Sequence, residues 1–146
     1  MVFPYKRYSD GIQRPVIQLT LRYGDREFDY EGLVDSGADM CMFGMEVALF
    51  LGIDLAKCEK GVVAGVGAVP FTYYLKTIQV EVAGRSFFID VGFLSNVSQF
   101  MYGVIGRKNF FNQFIVTFDE VEKTLSLSKK ERPRKDETLK GDFFRW

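Results

Sequence analysis

Leu33-Val34-Asp35-Ser36-Gly37-Ala38-Asp39 is an apolar run that ends abruptly in an acid, a hydroxyl and a glycine. Apolar runs of this kind read as buried strands, and a strand that delivers a carboxylate at its end is an unusual thing to build. Burial and neighbouring groups tune the proton affinity of such a carboxylate, which is the physical condition for acid–base chemistry. Asp-Ser-Gly occurs once in the chain, since Asp10-Gly11 lacks both the intervening hydroxyl and an apolar strand leading in.

The rest of the composition narrows what that carboxylate can do. The chain has 146 residues, enough for one domain with a packed core. Apolar residues make up 47 % and include 15 Phe, so a packed interior is available. Lys plus Arg and Asp plus Glu both total 19, a balance that argues against nucleic acid or an acidic membrane surface as partner. Histidine is absent, which removes Ser-His-Asp and Cys-His catalysis and the usual zinc sites. Hydrolytic chemistry would have to run on carboxylates, with or without a metal that they hold. No charged start leads into an apolar segment and no run approaches membrane-spanning length, so the expectation is a soluble, cytoplasmic protein. The two cysteines, Cys41 and Cys58, do not make a disulfide framework and read as buried free thiols. The sequon Asn96-Val97-Ser98 reads as a chance match.

Residues 1–14 show no clear periodicity and are expected to be an arm; 15–128 form the domain, and 129–146 a charged tail. That tail ends in Phe143-Phe144-Arg145-Trp146, which could dock on the body or on a partner. Pro15 to Tyr23 alternates, Gly24-Asp25 turns, and Arg26 to Val34 returns, giving a hairpin that delivers Asp35. Gly44 to Gly52 predicts a short helix with glycine at its C-terminal end. Lys60 to Pro70 predicts two strands around a tip at Gly65-Val66-Gly67. Phe71 to Val82 and Ser86 to Phe93 form another hairpin, turning at Ala83-Gly84-Arg85, with Ile78, Val80 and Val82 on one face. Gly103-Val104-Ile105-Gly106 is a short buried strand, Arg107 to Asn112 suits one or two helical turns, and Phe114 to Leu127 is a final hairpin. Many short strands with regular turns predict an all-β, closed or barrel-like domain with one or two short helices.

Leu33 to Asp39, the glycine-tipped hairpin and Val104-Ile105-Gly106-Arg107, in this order, resemble the retropepsin-like aspartic proteases. Asn109-Phe110-Phe111-Asn112-Gln113-Phe114 and Phe118-Asp119 look like the segment that follows the second motif in cellular and prokaryotic members, so the match spans about Pro15 to Ser128. The resemblance implies the closed acid-protease barrel and a catalytic Asp35, Ser36 and Gly37. Ser36 stands where most retroviral members carry Thr, a mild departure. Two carboxylates held close share one proton: the ionised one activates a water and the protonated one hydrogen-bonds the scissile carbonyl. One chain supplies one such aspartate, so a homodimer is implied, with a peptide or protein as substrate and neither cofactor nor metal.

The resemblance further implies that Asp39 pairs with Arg107 and meets the substrate backbone. It places Ala38, Gly65, Val66, Gly67, Val69 and Ile105 against the substrate, with Val66, Val69 and Ile105 lining pockets for apolar side chains. Plainer alternatives accompany these. Asp35 could merely cap a turn, Asp39 and Arg107 could be unrelated surface charges, and Gly61 to Pro70 could be an ordinary hairpin. A dinucleotide fingerprint at Gly65-Val66-Gly67 is dismissed because residue 70 is Pro and no helix follows. Asp35 and Asp39 as hard-metal ligands lack further acids to complete an oxygen shell. The functional expectation is an aspartic endopeptidase, and the alternative is a catalytically silent module of the same fold that dimerises or binds peptides.

Overall fold

Turn chemistry and alternation set the frame in the computed structural model, which describes residues 1–64, 69–95 and 102–130. Gly65-Val66-Gly67, the sequon and the tail beyond residue 130 lie outside them. Strand β4 (Val16–Tyr23) and β5 (Arg26–Val34) are joined by Gly24-Asp25, with Gly24 at φ 57°, and pair in register from Val16↔Leu33 to Tyr23↔Arg26. Alternate positions Leu19 and Leu21 of β4 point into the core. A second hairpin, β8 (Phe71–Val82) and β9 (Arg85–Leu94), turns at Ala83 and Gly84, both at positive φ. Its Ile78, Val80, Ile89 and Val91 join Leu19 and Leu21 in the same buried core.

Between these hairpins lie β6 (Cys41–Gly44), α1 (Met45–Phe50), a 3-10 turn (Leu55–Lys57) and β7 (Glu59–Val63). The α1 helix stops where Gly52 adopts φ 70°: the Ile53 and Gly52 N–H groups close on the Ala48 and Leu49 carbonyls, the Schellman arrangement. Strand β10 (Gly103–Ile105) inserts between β5, to which it is parallel, and β6, to which it is antiparallel. The resulting order β4-β5-β10-β6-β9-β8 closes because β8 also pairs with β4 through Leu21↔Val80. The sheet is therefore a six-stranded barrel without a free edge of its own, while β7 extends from β8 as a projecting hairpin.

Residues 1–14, which show no clear periodicity, carry three short strands. Strand β1 (Val2–Pro4) pairs with β12 (Thr124–Lys129), which pairs in turn with β11 (Phe114–Asp119), and β2 (Lys6–Arg7) pairs with β3 (Gln13–Arg14). Tyr5 is buried and its N–H reaches the Lys123 carbonyl at 2.7 Å. Strands of two or three residues carry too few side chains to show a period. One expectation needs correction: the stretch from Arg107 to Asn112 forms successive turns and no helix. Asn109 sits at φ 67°, a left-handed conformation that a right-handed helix cannot pass through. Phe110 anchors these turns in the core beside Phe87 and Phe114.

Candidate active site

The insertion of β10 between β5 and β6 forces the chain from Asp35 to Met40 to cross over the end of β10, and the motif lies in that crossing. Asp35 N–H donates to the Ile105 carbonyl at 3.0 Å, continuing the β5–β10 ladder by one residue. The Asp35 carboxylate turns back on its own loop, where Oδ1 accepts the Gly37 N–H at 2.8 Å, and Ala38 N–H reaches the Asp35 carbonyl at 3.3 Å. A side chain on Gly37 would begin 3.2 Å from that same Oδ1, so the glycine keeps room for the carboxylate. Beyond it, Arg107 and Lys108 N–H groups donate to the Ala38 and Asp39 carbonyls, each at 2.9 Å.

Gly106 makes this fit possible. A methyl there would lie 2.3 Å from the Met40 oxygen and 2.5 Å from its carbonyl carbon, both backbone atoms. Cys41 lies beneath, its Sγ 3.9 Å from the Gly106 carbonyl, and burial pushes the thiol up to about 11, so it is an inert packing group. Cys58, expected to be buried, is only partly so. The Arg107 guanidinium pairs with Asp39 through Nη2 and Oδ1. Their side chains are 57 % and 86 % exposed, so in a single chain the pair adds little stability.

A cleft of about 340 Å³ opens beside the loop. Gly37, Ala38, Asp39, Met40 and Met42 form one wall, and Val62, Val63, Ala64 and Tyr73 of the projecting hairpin form the other. Its floor is a small apolar cluster separate from the main core, in which Met42 and Leu94 are buried against Met40, Val63, Phe71, Tyr73 and Val104. Tyr73 packs closely on two glycines: a methyl on Gly61 would meet its Cζ at 2.3 Å, and one on Gly92 its Cδ2 at 3.0 Å. A larger hollow of about 450 Å³ lies between Cys58 and Lys76, away from the motif. Size alone does not mark the site.

Asp35, Ser36, Gly37, Ala38, Asp39 and Arg107 therefore share one loop system, with Asp35 half-buried and Ser36 and Gly37 exposed. Ile105 does not join them in the cleft. It is 0 % exposed and packs in the main core, close over Gly32. Val104, one residue earlier, turns to the opposite face and packs against the Met42 and Leu94 cluster behind the cleft. The period of two in Gly103-Val104-Ile105 carried that signal, because a strand sends neighbours to opposite faces. Val69 is 74 % exposed and is not among the residues lining the cleft. Met40, Met42, Val63 and Tyr73 were not legible as cleft residues, since their meeting depends on how β7 and β8 fold over β6. No group of three or more Cys, Asp or Glu able to hold a metal occurs among the described residues. Nor is any helix among them long and apolar enough to cross a membrane.

Among solved structures the chain is similar to a retropepsin-like aspartic protease from Rickettsia conorii, with a TM-score of 0.65 over 87 % of this chain and 89 % of that one. The fold is retropepsin-like. Sequence identity over that match is 20 %, so the likeness speaks for the retropepsin-like architecture, and the chemistry rests on the residues of the loop. No protein-family model matches the chain, and no curated protein does.

Proposed function

We propose that this chain is an aspartic endopeptidase that acts as a homodimer, with Asp35 of each copy forming a dyad across a two-fold axis. The observation that carries the reading is the Asp35 loop. A barrel wall and a crossing strand fix it, yet it leaves Ser36 and Gly37 exposed. Two such loops facing each other complete a site that one loop leaves half-built. A water held between the carboxylates loses a proton to the ionised one and adds to the peptide carbonyl, whose oxygen the protonated one hydrogen-bonds. The tetrahedral intermediate then collapses, the C–N bond breaks, and the leaving nitrogen takes a proton from the dyad. No covalent enzyme intermediate forms.

The substrate lies extended in the cleft, with an apolar side chain over Met40, Met42 and Val104, while the hairpin of β7 and β8 closes above it and excludes water. The test is cleavage of an apolar peptide library from acidic to neutral pH, with and without a pepstatin-type transition-state analogue. A bell-shaped profile and inhibition by the analogue are expected. Asp35→Asn is expected to lower kcat by at least about 10³-fold while fold and dimer persist. Cleavage that survives this substitution overturns the mechanism, and a dimer inert on every peptide points to the silent-module reading.

A further inference from the structure

Lys108 is a strut between the active loop and the barrel. Its backbone N–H holds the Asp39 carbonyl at 2.9 Å, and its Nζ lies 2.9 Å from Asp90 Oδ2 on β9. Asp90 receives more than this one contact. Its Oδ1 accepts the Thr77 hydroxyl at 2.8 Å from the neighbouring strand β8, and its backbone N–H donates to Asn109 Oδ1 at 3.3 Å. Asn109 bends left-handed immediately after Lys108. Side chain and backbone of a single residue thus grip the two positions that follow Arg107. Asp90 is well placed to do so, because β9 is paired on both sides, to β8 through Thr77↔Asp90 and to β6 through Cys41↔Val91. Its side chain is 26 % exposed, less than that of any other acid in the chain's described ion pairs.

We infer that Asp90 is a positioning residue for the Asp35 loop: it locks Lys108 and Asn109 to the barrel wall, and through the Arg107 and Lys108 amides it fixes Ala38 and Asp39. This rests on the endopeptidase reading, in which a carboxylate must be held to within a fraction of an ångström and small displacements are costly. Asp39 and Arg107 are exposed and give the loop little rigidity of their own. The Lys108–Asp90 link supplies an attachment to β9, a strand paired on both sides.

The test combines hydrogen exchange with kinetics on Asp90→Asn, which keeps the shape of the side chain and an acceptor for Thr77, and on Lys108→Met, which keeps the stem. With the wild-type fold retained, the Arg107 and Lys108 amides are expected to exchange about tenfold faster, and kcat to fall about fivefold with KM within about twofold. The exchanged pair Asp90→Lys with Lys108→Asp should recover part of both losses. Unchanged amides in both folded variants overturn the inference, and so do loosened amides with kcat intact. A wild-type chain that cleaves nothing would defeat the endopeptidase reading instead, and the amide exchange would still decide whether the clamp exists. Should Asp90→Asn fail to fold, Lys108→Met at the more exposed end carries the same comparison.

Discussion

Two glycines support the Asp35 loop, and they do different work. A methyl on Gly106 meets the Met40 backbone, which cannot step aside, so Gly106→Ala is expected to cost about 2–3 kcal/mol in urea unfolding. A methyl on Gly37 meets the mobile end of Asp35 at 3.2 Å, so Gly37→Ala should cost less stability and mainly displace the carboxylate, visible as lost cleavage in a folded chain. Asp90 makes a pH-dependent contribution. The Lys108 ammonium first, and the Thr77 hydroxyl second, hold its carboxyl below the ordinary 3.8. A lowered value means stability that is present above 3.8 and lost as pH falls through the folded value. The other titratable groups near the link are Cys41 on β6, neutral because burial raises it, and Tyr73 on β8, which faces Lys108. The stability gap between wild type and Asp90→Asn should therefore narrow below about pH 4 and stay constant above about pH 5, as read by urea unfolding at several pH values. A gap that stays constant down through the acid range would contradict this. At this scale the sequence showed Asp35, Asp39 and Arg107, which sit in or beside recognisable motifs. Asp90 and Lys108 were illegible, because only the placement of β9 against the turn after β10 brings them together.

Strand β10 is three residues long, yet it sends its neighbouring side chains to opposite faces, Ile105 to the main core and Val104 to the cluster behind the cleft. Ile105 faces the core, and Ile105→Ala is expected to cost about 3 kcal/mol by leaving a cavity. Val104 is half-buried in the cleft floor, so Val104→Ala should cost about 1 kcal/mol or less and instead alter KM and side-chain preference in peptide cleavage. The reverse outcome, specificity moving with Ile105 and stability with Val104, would contradict the assignment. Elements bounded by strong turn residues were legible: the β4–β5 hairpin from Gly24-Asp25, the β8–β9 hairpin from Ala83-Gly84, and α1 between Gly44 and Gly52. The elements that escaped are too short or too irregular to show a period. β1 draws its stability from β12 far along the chain, β2 and β3 are two-residue strands that pair only with each other, and the turns after Arg107 look helical until Asn109 turns left-handed.

The barrel closes because the twelve-residue strand β8 serves three neighbours, pairing with β9, with β4 and, at its start, with β7. Its alternation showed in the sequence, but alternation does not say how many partners a strand has, so closure was expected from fold class rather than from β8 itself. Charge balance and the absence of histidine were whole-chain facts that narrowed the chemistry before any contact was known. At this scale the central claim is that one chain carries half an active site. It is tested most directly by measuring peptide cleavage at a fixed amount of wild-type chain while Asp35→Asn chain is added under exchanging conditions. Mixed dimers hold one carboxylate, so a ninefold excess of the variant should reduce the rate to about one tenth by random pairing. A rate that stays proportional to wild-type chain whatever the amount of variant would contradict the account.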